Sequence, residues 1–183
     1  MESKLNRISQ SLLILFSVSF LGWVMETTYC WILWKCFCDR GFLTLPFCTI
    51  YGFSVLAIYF LIGTPLSGGL LLRRCKNKVL RCPLYFLLAA AIPTATELVT
   101  GVFFDKALGI RLWNYASYPL NFHGYICLKF ALIWGALITL FMGLLFPLMQ
   151  KGLQKIPPAV ANTIAFCLLF AVCVDWIVCL LRL

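Results

Sequence analysis

The hydrophobic positions of this chain run together in five long blocks, 8–34, 41–72, 82–104, 124–149 and 156–181, separated by short polar segments. Each block is long enough to cross a hydrocarbon core of about 30 Å at 1.5 Å per residue. The second is longer than one crossing needs and is interrupted by Gly63, Pro65, Gly68 and Gly69, so its helix is expected to stop near residue 62 and give way to a bent or surface-lying piece. The pattern predicts an all-α integral membrane protein, a single transmembrane domain over 1–183. Its five helices fall at about 8–34, 46–62, 82–104, 124–149 and 157–181. The basic start MESKLNRISQ suits a signal-peptide n-region. The apolar run behind it is about twice a usual h-region and has no clean small-residue cleavage site, so it reads as a retained first helix.

Composition agrees: 63% hydrophobic, 11% charged and a mean hydropathy of +0.97 lie far outside the soluble globular range. The charge fixes an orientation. With five crossings, one side carries Lys4, Arg7, Arg73, Arg74, Lys76, Lys78, Arg81, Lys151 and Lys155, and the other Lys35, Arg40, Lys106, Arg111 and Arg182. Lys and Arg concentrate on the cytoplasmic side, which places the N-terminus inside and the C-terminus outside a cytoplasmic (inner) membrane. The net charge of +9 is then mainly an insertion signal. The RRCKNKVLR cluster also suits anionic lipid headgroups, and a nucleic-acid partner is not implied.

Four of the blocks each carry one charge: Glu26, Glu97, Lys129 and Asp175. A charge in hydrocarbon costs a few kcal/mol or more, so it faces a partner or a wet cavity. At 1.5 Å per residue from the cytoplasmic entry, Glu26, Glu97 and Asp175 lie roughly 21 to 25 Å in, and Lys129 is at about the same level. Two readings stay open. Lys129 and Asp175 could form a structural ion pair with a protonated glutamate nearby, or the charges could face a cavity and handle a ligand.

The outer loops bring further polar groups to that level. One holds Cys38, Asp39, Arg40, Gly41, Pro46 and Tyr51, and the other Asp105, Lys106, Arg111, Trp113, Asn114, Tyr115, Ser117, Asn121 and His123. Aromatic residues suit a membrane interface, whereas Asn114 and Asn121 each bring donors and an acceptor that need partners. The candidate substrate-binding set is Glu26, Arg40, Tyr51, Glu97, Asp105, Arg111, Trp113, Asn114, Tyr115, Asn121 and Lys129. Glu26 to Arg40 and Glu97 to Arg111 are both 14 residues apart, a hint of a weak parallel repeat.

Other chemistries find little support. A single histidine excludes a multi-histidine metal site, and neither a His-Glu-x-x-His pattern nor a Gly-x-Ser-x-Gly elbow occurs. The ten cysteines are placed mostly as small apolar residues, with Cys36, Cys38 and Cys48 the ones open to oxidation outside. No cofactor or metal is expected.

The segments Gly22-Trp23 with Glu26, Arg40-Gly41-Phe42-Leu43, Pro46, Cys48, Ile50-Tyr51-Gly52, Glu97 with Thr100-Gly101, Trp113-Asn114-Tyr115, Asn121, Gly124-Tyr125-Ile126-Cys127-Leu128 and Trp134-Gly135 together resemble the ABC-transporter type IV permease family of CmpB-like small membrane proteins. The chain departs from that family's pattern at Asp39, Leu45, Thr49, Leu98 and Asn114. The last exchange removes a carboxylate from the outer cluster. The resemblance implies a transporter permease component handling a small substrate or ion at an outer-leaflet polar site. These 183 residues contain no Gly-x-x-x-x-Gly-Lys-Ser/Thr loop, so a separate ATPase would supply the energy. Five helices are few for a complete pathway, which makes a homodimer or another membrane subunit an expected partner beside the bilayer. The rival readings are an intramembrane enzyme acting on a lipid-borne substrate and a non-catalytic assembly or regulatory subunit.

Overall fold

A computed structural model describes residues 2–72 and 77–182. The basic residues Arg73, Arg74 and Lys76 and the thiol of Cys75 lie outside the described residues. Five helices account for the chain: α1 (Glu2–Trp34), α2 (Thr49–Leu61), α3 (Lys78–Ala107), α4 (Leu128–Leu153) and α5 (Pro158–Leu181). Between α3 and α4 lies a two-stranded antiparallel hairpin, β1 (Asn121–Phe122) with β2 (Ile126–Cys127), in the register Asn121 to Cys127 and Phe122 to Ile126.

Four of these helices are long and apolar enough to cross a membrane, with spans Leu5–Trp34, Leu80–Ala107, Leu128–Leu153 and Pro158–Leu181. The helix α2 differs. A helix over 46–62 was expected, but only Thr49–Leu61 is helical, 13 residues, or about 20 Å. Gly41, at φ 107, and Pro46 keep the preceding apolar stretch out of the helical conformation. The remaining helices match the expected blocks to within a few residues. Where α3 ends, Gly109 (φ 69) takes the left-handed conformation that lets the Ile110 N–H reach back to the Phe104 carbonyl at 3.0 Å. Within α4, Phe141–Leu145 forms a π-helical turn. Pro147, four residues after Gly143, cannot donate to its carbonyl, and the widened turn takes up that break.

The chain forms two compact units, residues 1–53 with 149–183, and residues 54–148, with the boundary inside α2. In the first, α1 packs on α5. Leu13 is buried against Ala161 and Ala165, flanked by Leu12, Leu153 and Ile156. Two alanines four residues apart give α5 a flat stripe on which another helix can lie close. The start of α2 rests on the middle of α1, where the Cys48 N–H donates to the Ser19 carbonyl at 3.1 Å. Ser19 lies 15 residues before Trp34, so the segment 35–48 has come back about 22 Å along α1 before α2 begins.

In the second unit α3 packs on α4. A Cβ at Gly135 would lie 2.9 Å from the Ala90 methyl and 3.2 Å from the Phe86 ring, so only glycine allows this approach. The Tyr85 hydroxyl, fully buried, donates to the Gly63 carbonyl at 3.0 Å. The large apolar residues left exposed, among them Ile32, Leu87, Val99, Leu140, Leu144 and Phe170, sit on the four long helices, as surfaces turned to lipid do.

Gly52 has no room for a side chain, since a Cβ there would meet the Leu15 carbonyl oxygen and the Ser19 Oγ at 2.4 Å. Gly52→Ala is expected to lower the unfolding midpoint in detergent, by an overpacking cost of about 1 to 3 kcal/mol. Ala at the open Gly152, which has nothing within 4 Å, should leave it unchanged.

Candidate functional site

Each unit uses a non-helical segment to deliver hydrogen-bond donors to a carboxylate on a long helix. In the first unit Glu26, two turns before the end of α1, receives the Tyr51 hydroxyl on Oε1 at 2.6 Å and Arg40 Nε on Oε2 at 3.2 Å. A side chain at Gly22, one turn earlier, would collide with the Tyr51 ring at 2.4 Å, so that glycine is what lets Tyr51 reach Glu26. Burial acts against the Arg40 cation, but the charge and hydrogen bond of Glu26 more than offset it and raise the guanidinium above its ordinary pKa. Next to Arg40, Asp39 accepts the Trp23 indole N–H at 2.7 Å.

The same segment is fastened to α5. Asp175, 7% exposed, accepts the Leu45 N–H at 2.9 Å and the Thr44 hydroxyl, and Cys179 Sγ lies 3.9 Å away. A backbone N–H outside any helix is thereby satisfied by a side chain. The Phe42 and Trp176 rings pack beside it with centroids 4.9 Å apart. Cys48 closes the segment, its Sγ 3.6 Å from the Arg40 carbonyl. Burial, helped by the Glu26 charge and opposed by Arg40, pushes this thiol up to about 12.

In the second unit Glu97 is buried, 9% exposed. Its Oε1 accepts the Tyr115 hydroxyl at 3.2 Å and the Trp134 indole N–H at 3.1 Å. Glu97 lies ten residues before the end of α3, so the hydroxyl of Tyr115, eight residues past that end, reaches a group about 15 Å back along the helix. Tyr115 is held by stacking on Phe130 at 4.7 Å. The loop around it is tied to itself. Asn114 Oδ1 accepts the Ala116 N–H at 3.0 Å. Asn121 donates to the Tyr118 and Ala116 carbonyls at 2.8 and 3.3 Å and accepts the Gly124 N–H at 3.0 Å. Trp113 donates to the Tyr125 carbonyl at 2.8 Å and Arg111 to the His123 carbonyl at 2.5 Å. Arg111 also lies over the Tyr125 ring, 5.2 Å from its centroid. The Tyr125 hydroxyl donates to Asp105, and that bond, with burial, raises the phenol above its ordinary pKa.

The expected set therefore divides. Glu26, Arg40 and Tyr51 meet in one unit, and Glu97 and Tyr115 in the other. Asp105, Arg111, Trp113, Asn114 and Asn121 build the loop that carries Tyr115. Lys129 places its ammonium over the Tyr118 ring at 5.0 Å and the Phe130 ring at 5.9 Å. Asp175, its expected ion-pair partner, belongs to the other unit and is engaged there by Thr44 and Leu45. Trp134, Tyr125, Thr44 and the Leu45 N–H are the participants that the candidate set omitted. Trp134 could have been found by asking which span residues carry a donor.

Beside the hairpin of the second unit, Thr94, Leu120, Phe122, Cys127, Leu128 and Ala131 help to line an open, mostly apolar groove of about 420 Å³. Among the described residues no group of three or more His, Cys, Asp or Glu side chains is arranged to hold a metal ion.

A family model described as Putative ABC-transporter type IV matches residues 13–180, and so takes in both non-helical segments and all the carboxylates above. No curated protein and no solved structure matches the chain.

Removing the acceptor that anchors the first segment should release it. Asp175→Ala is expected to cost about 2 kcal/mol, the cost of leaving a buried donor unsatisfied. It should also raise the maleimide reactivity of Cys48, which is a buried neutral thiol at pH 7 to 8, as read by peptide mapping of the labelled protein.

Proposed function

Because the chain belongs to the ABC-transporter type IV family, we propose that it is the permease component of a transporter whose intramembrane carboxylates handle a small cation, a cationic group or a proton. The observation that carries this reading is the setting of Glu97, a buried carboxylate inside the span Leu80–Ala107 addressed by Tyr115 from a loop that turns back along the helix. Ionisable groups inside spans face the protein interior and mark ligand or proton paths, and non-helical backbone at membrane depth occurs where it is buried in protein or lines such a path.

The two carboxylates are set up for different tasks. The Arg40 guanidinium at 3.2 Å and the Tyr51 hydroxyl at 2.6 Å hold Glu26, which makes that group the fastener of its segment. Glu97 takes a hydroxyl and an indole among its donors. On this reading Glu97 is the group that exchanges a proton or cation, while Tyr115 and Trp134 hold its geometry. Lys129 stands one residue into α4 and over aromatic rings, where it can discriminate against a second cation.

The orientation follows the basic residues, with the N-terminus inside and the C-terminus outside a cytoplasmic membrane, and the whole chain acts as one transmembrane domain. Energy would come from a separate ATPase, since no phosphate-binding loop of the Gly-x-x-x-x-Gly-Lys-Ser/Thr type is present in these residues.

Two outcomes check this reading. A panel of inorganic and organic cations, screened from pH 5 to 8, should contain members that raise the melting temperature of the wild type and leave that of a well-folded Glu97→Gln unchanged. Equal shifts in both proteins, or none in the wild type, would remove Glu97 from the site. A membrane-impermeant maleimide added to intact cells should modify the exposed Cys36, and Cys82, expected at the inner face, should react only after permeabilisation.

A further inference from the structure

Directly after α1, Lys35 takes the left-handed conformation at φ 55, and the chain turns back into Cys36, Phe37 and Cys38. Trp23 on α1 holds the two residues that alternate with these cysteines. Its ring meets Phe37 edge-on with centroids 6.5 Å apart, and its indole N–H donates to Asp39 at 2.7 Å. Neighbouring side chains of a non-helical stretch face opposite ways, so tying Phe37 and Asp39 to the helix turns Cys36 and Cys38 to a common side. The two thiols meet there, joined by a hydrogen bond. Loss of solvation, then the charge and hydrogen bond of Cys38, hold the Cys36 thiol above its ordinary pKa.

Exposure sets this pair apart from the other thiols of its unit. Cys36 is exposed and Cys38 partly so, whereas Cys30, Cys48 and Cys179 are buried, and Cys167 and Cys173 lie inside the span Pro158–Leu181. Cys36 and Cys38 follow the span Leu5–Trp34 and are the ones a reagent in water reaches first. They also have the reach for a bond to each other. Cα atoms two residues apart are separated by at most about 7 Å, and a disulfide spans roughly 4.4 to 6.8 Å between its Cα atoms.

We propose that Cys36 and Cys38 are a reversible dithiol–disulfide pair, a site of thiol–disulfide exchange with a disulfide presented from the surrounding water. One cysteine thiolate attacks a disulfide R–S–S–R, breaking its S–S bond, forming a mixed disulfide and releasing one RS⁻. The other thiolate attacks the cysteine sulfur of that mixed disulfide, forming the Cys36–Cys38 bond and releasing the second RS⁻. Two cysteine thiols are oxidised, one external disulfide is reduced to two thiols, and the two cysteine protons end on the released sulfurs. The bridge lies immediately before Asp39 and Arg40, the residues that fasten this segment to Trp23 and Glu26. The site is independent of Glu97 and of the transport reading, and maleimide labelling of Cys36 reports its dithiol form.

The test uses the full chain in detergent, reduced and then equilibrated with mixtures of oxidised and reduced glutathione, alkylated with maleimide and read by intact mass and peptide mapping. Wild type should lose the maleimide labels of Cys36 and Cys38 together, without retaining glutathione, and dithiothreitol should restore both. Cys36→Ser and Cys38→Ser should each hold glutathione on the remaining cysteine, because the second attack has no thiol to make it. Should a serine variant fail to fold, the wild-type map decides by itself, since a bridge and a pair of glutathione adducts differ in mass. Stable glutathione on both wild-type cysteines, a bridge from either of them to Cys30, or two thiols still free in oxidised glutathione alone would overturn the proposal.

Discussion

Backbone N–H and C=O groups inside a membrane must find their partners in the protein, and the rest of this structure depends on how the chain meets that requirement outside its helices. Helices satisfy themselves. The segments 35–48 and 108–127 do not, and each is bound to a long helix by side chains that are polar for that reason. Asp175 takes a backbone N–H and a hydroxyl from Leu45 and Thr44, the Ser19 carbonyl takes the Cys48 N–H, and the second segment closes on its own asparagines and tryptophan. Polar residues that would be costly against lipid are here the means by which irregular backbone is held against the long helices.

The same arrangement places chemistry where a bundle of continuous helices could not. A helix presents side chains sideways, whereas a segment running back along a helix can present a tyrosine or arginine directly to a carboxylate on it. Both units do this, with Arg40 at Glu26, beside Tyr51 from the first turn of α2, and Tyr115 at Glu97. They are two executions of one local plan, a carboxylate helix followed by a doubled-back segment and then a helix that begins partway along the first. The equal 14-residue separations from Glu26 to Arg40 and from Glu97 to Arg111 conceal a difference. Arg40 binds its glutamate, but Arg111 binds a loop carbonyl and a ring face, so equal spacing in sequence did not become equal function.

Most of the fold was legible because long apolar blocks admit few structures, and four became long helices. The fifth misled in part. Phe42, Leu43, Leu45 and Phe47 are apolar enough to read as the approach to a helix, and Gly41 and Pro46 were the signs that they are not helical. At the site, opposite charges were legible as possible partners, which suggested Lys129 for Asp175, while Glu26 and Arg40 entered only as members of one candidate set. A carboxylate that takes its bonds from backbone N–H and hydroxyl groups leaves no charge signature. Trp134 was hidden for a related reason, since an indole in a span looks apolar although it carries a donor. The membership of residues 13–180 in a transporter family agrees with the sequence reading and says nothing about which carboxylate does what.

The account rests most heavily on the different tasks assigned to Glu26 and Glu97, and the melting temperatures of Glu26→Gln and Glu97→Gln beside wild type, from pH 5 to 8 in detergent, address that directly. Glutamine can still accept from Tyr115 and Trp134 but cannot hold Arg40 by charge. Glu97→Gln should therefore melt close to the wild type, and Glu26→Gln well below it throughout the range. A collapse of both variants would make the two carboxylates structural fasteners alike and contradict the role given to Glu97, and a Glu26→Gln as stable as the wild type would contradict the role given to the Glu26 and Arg40 pair.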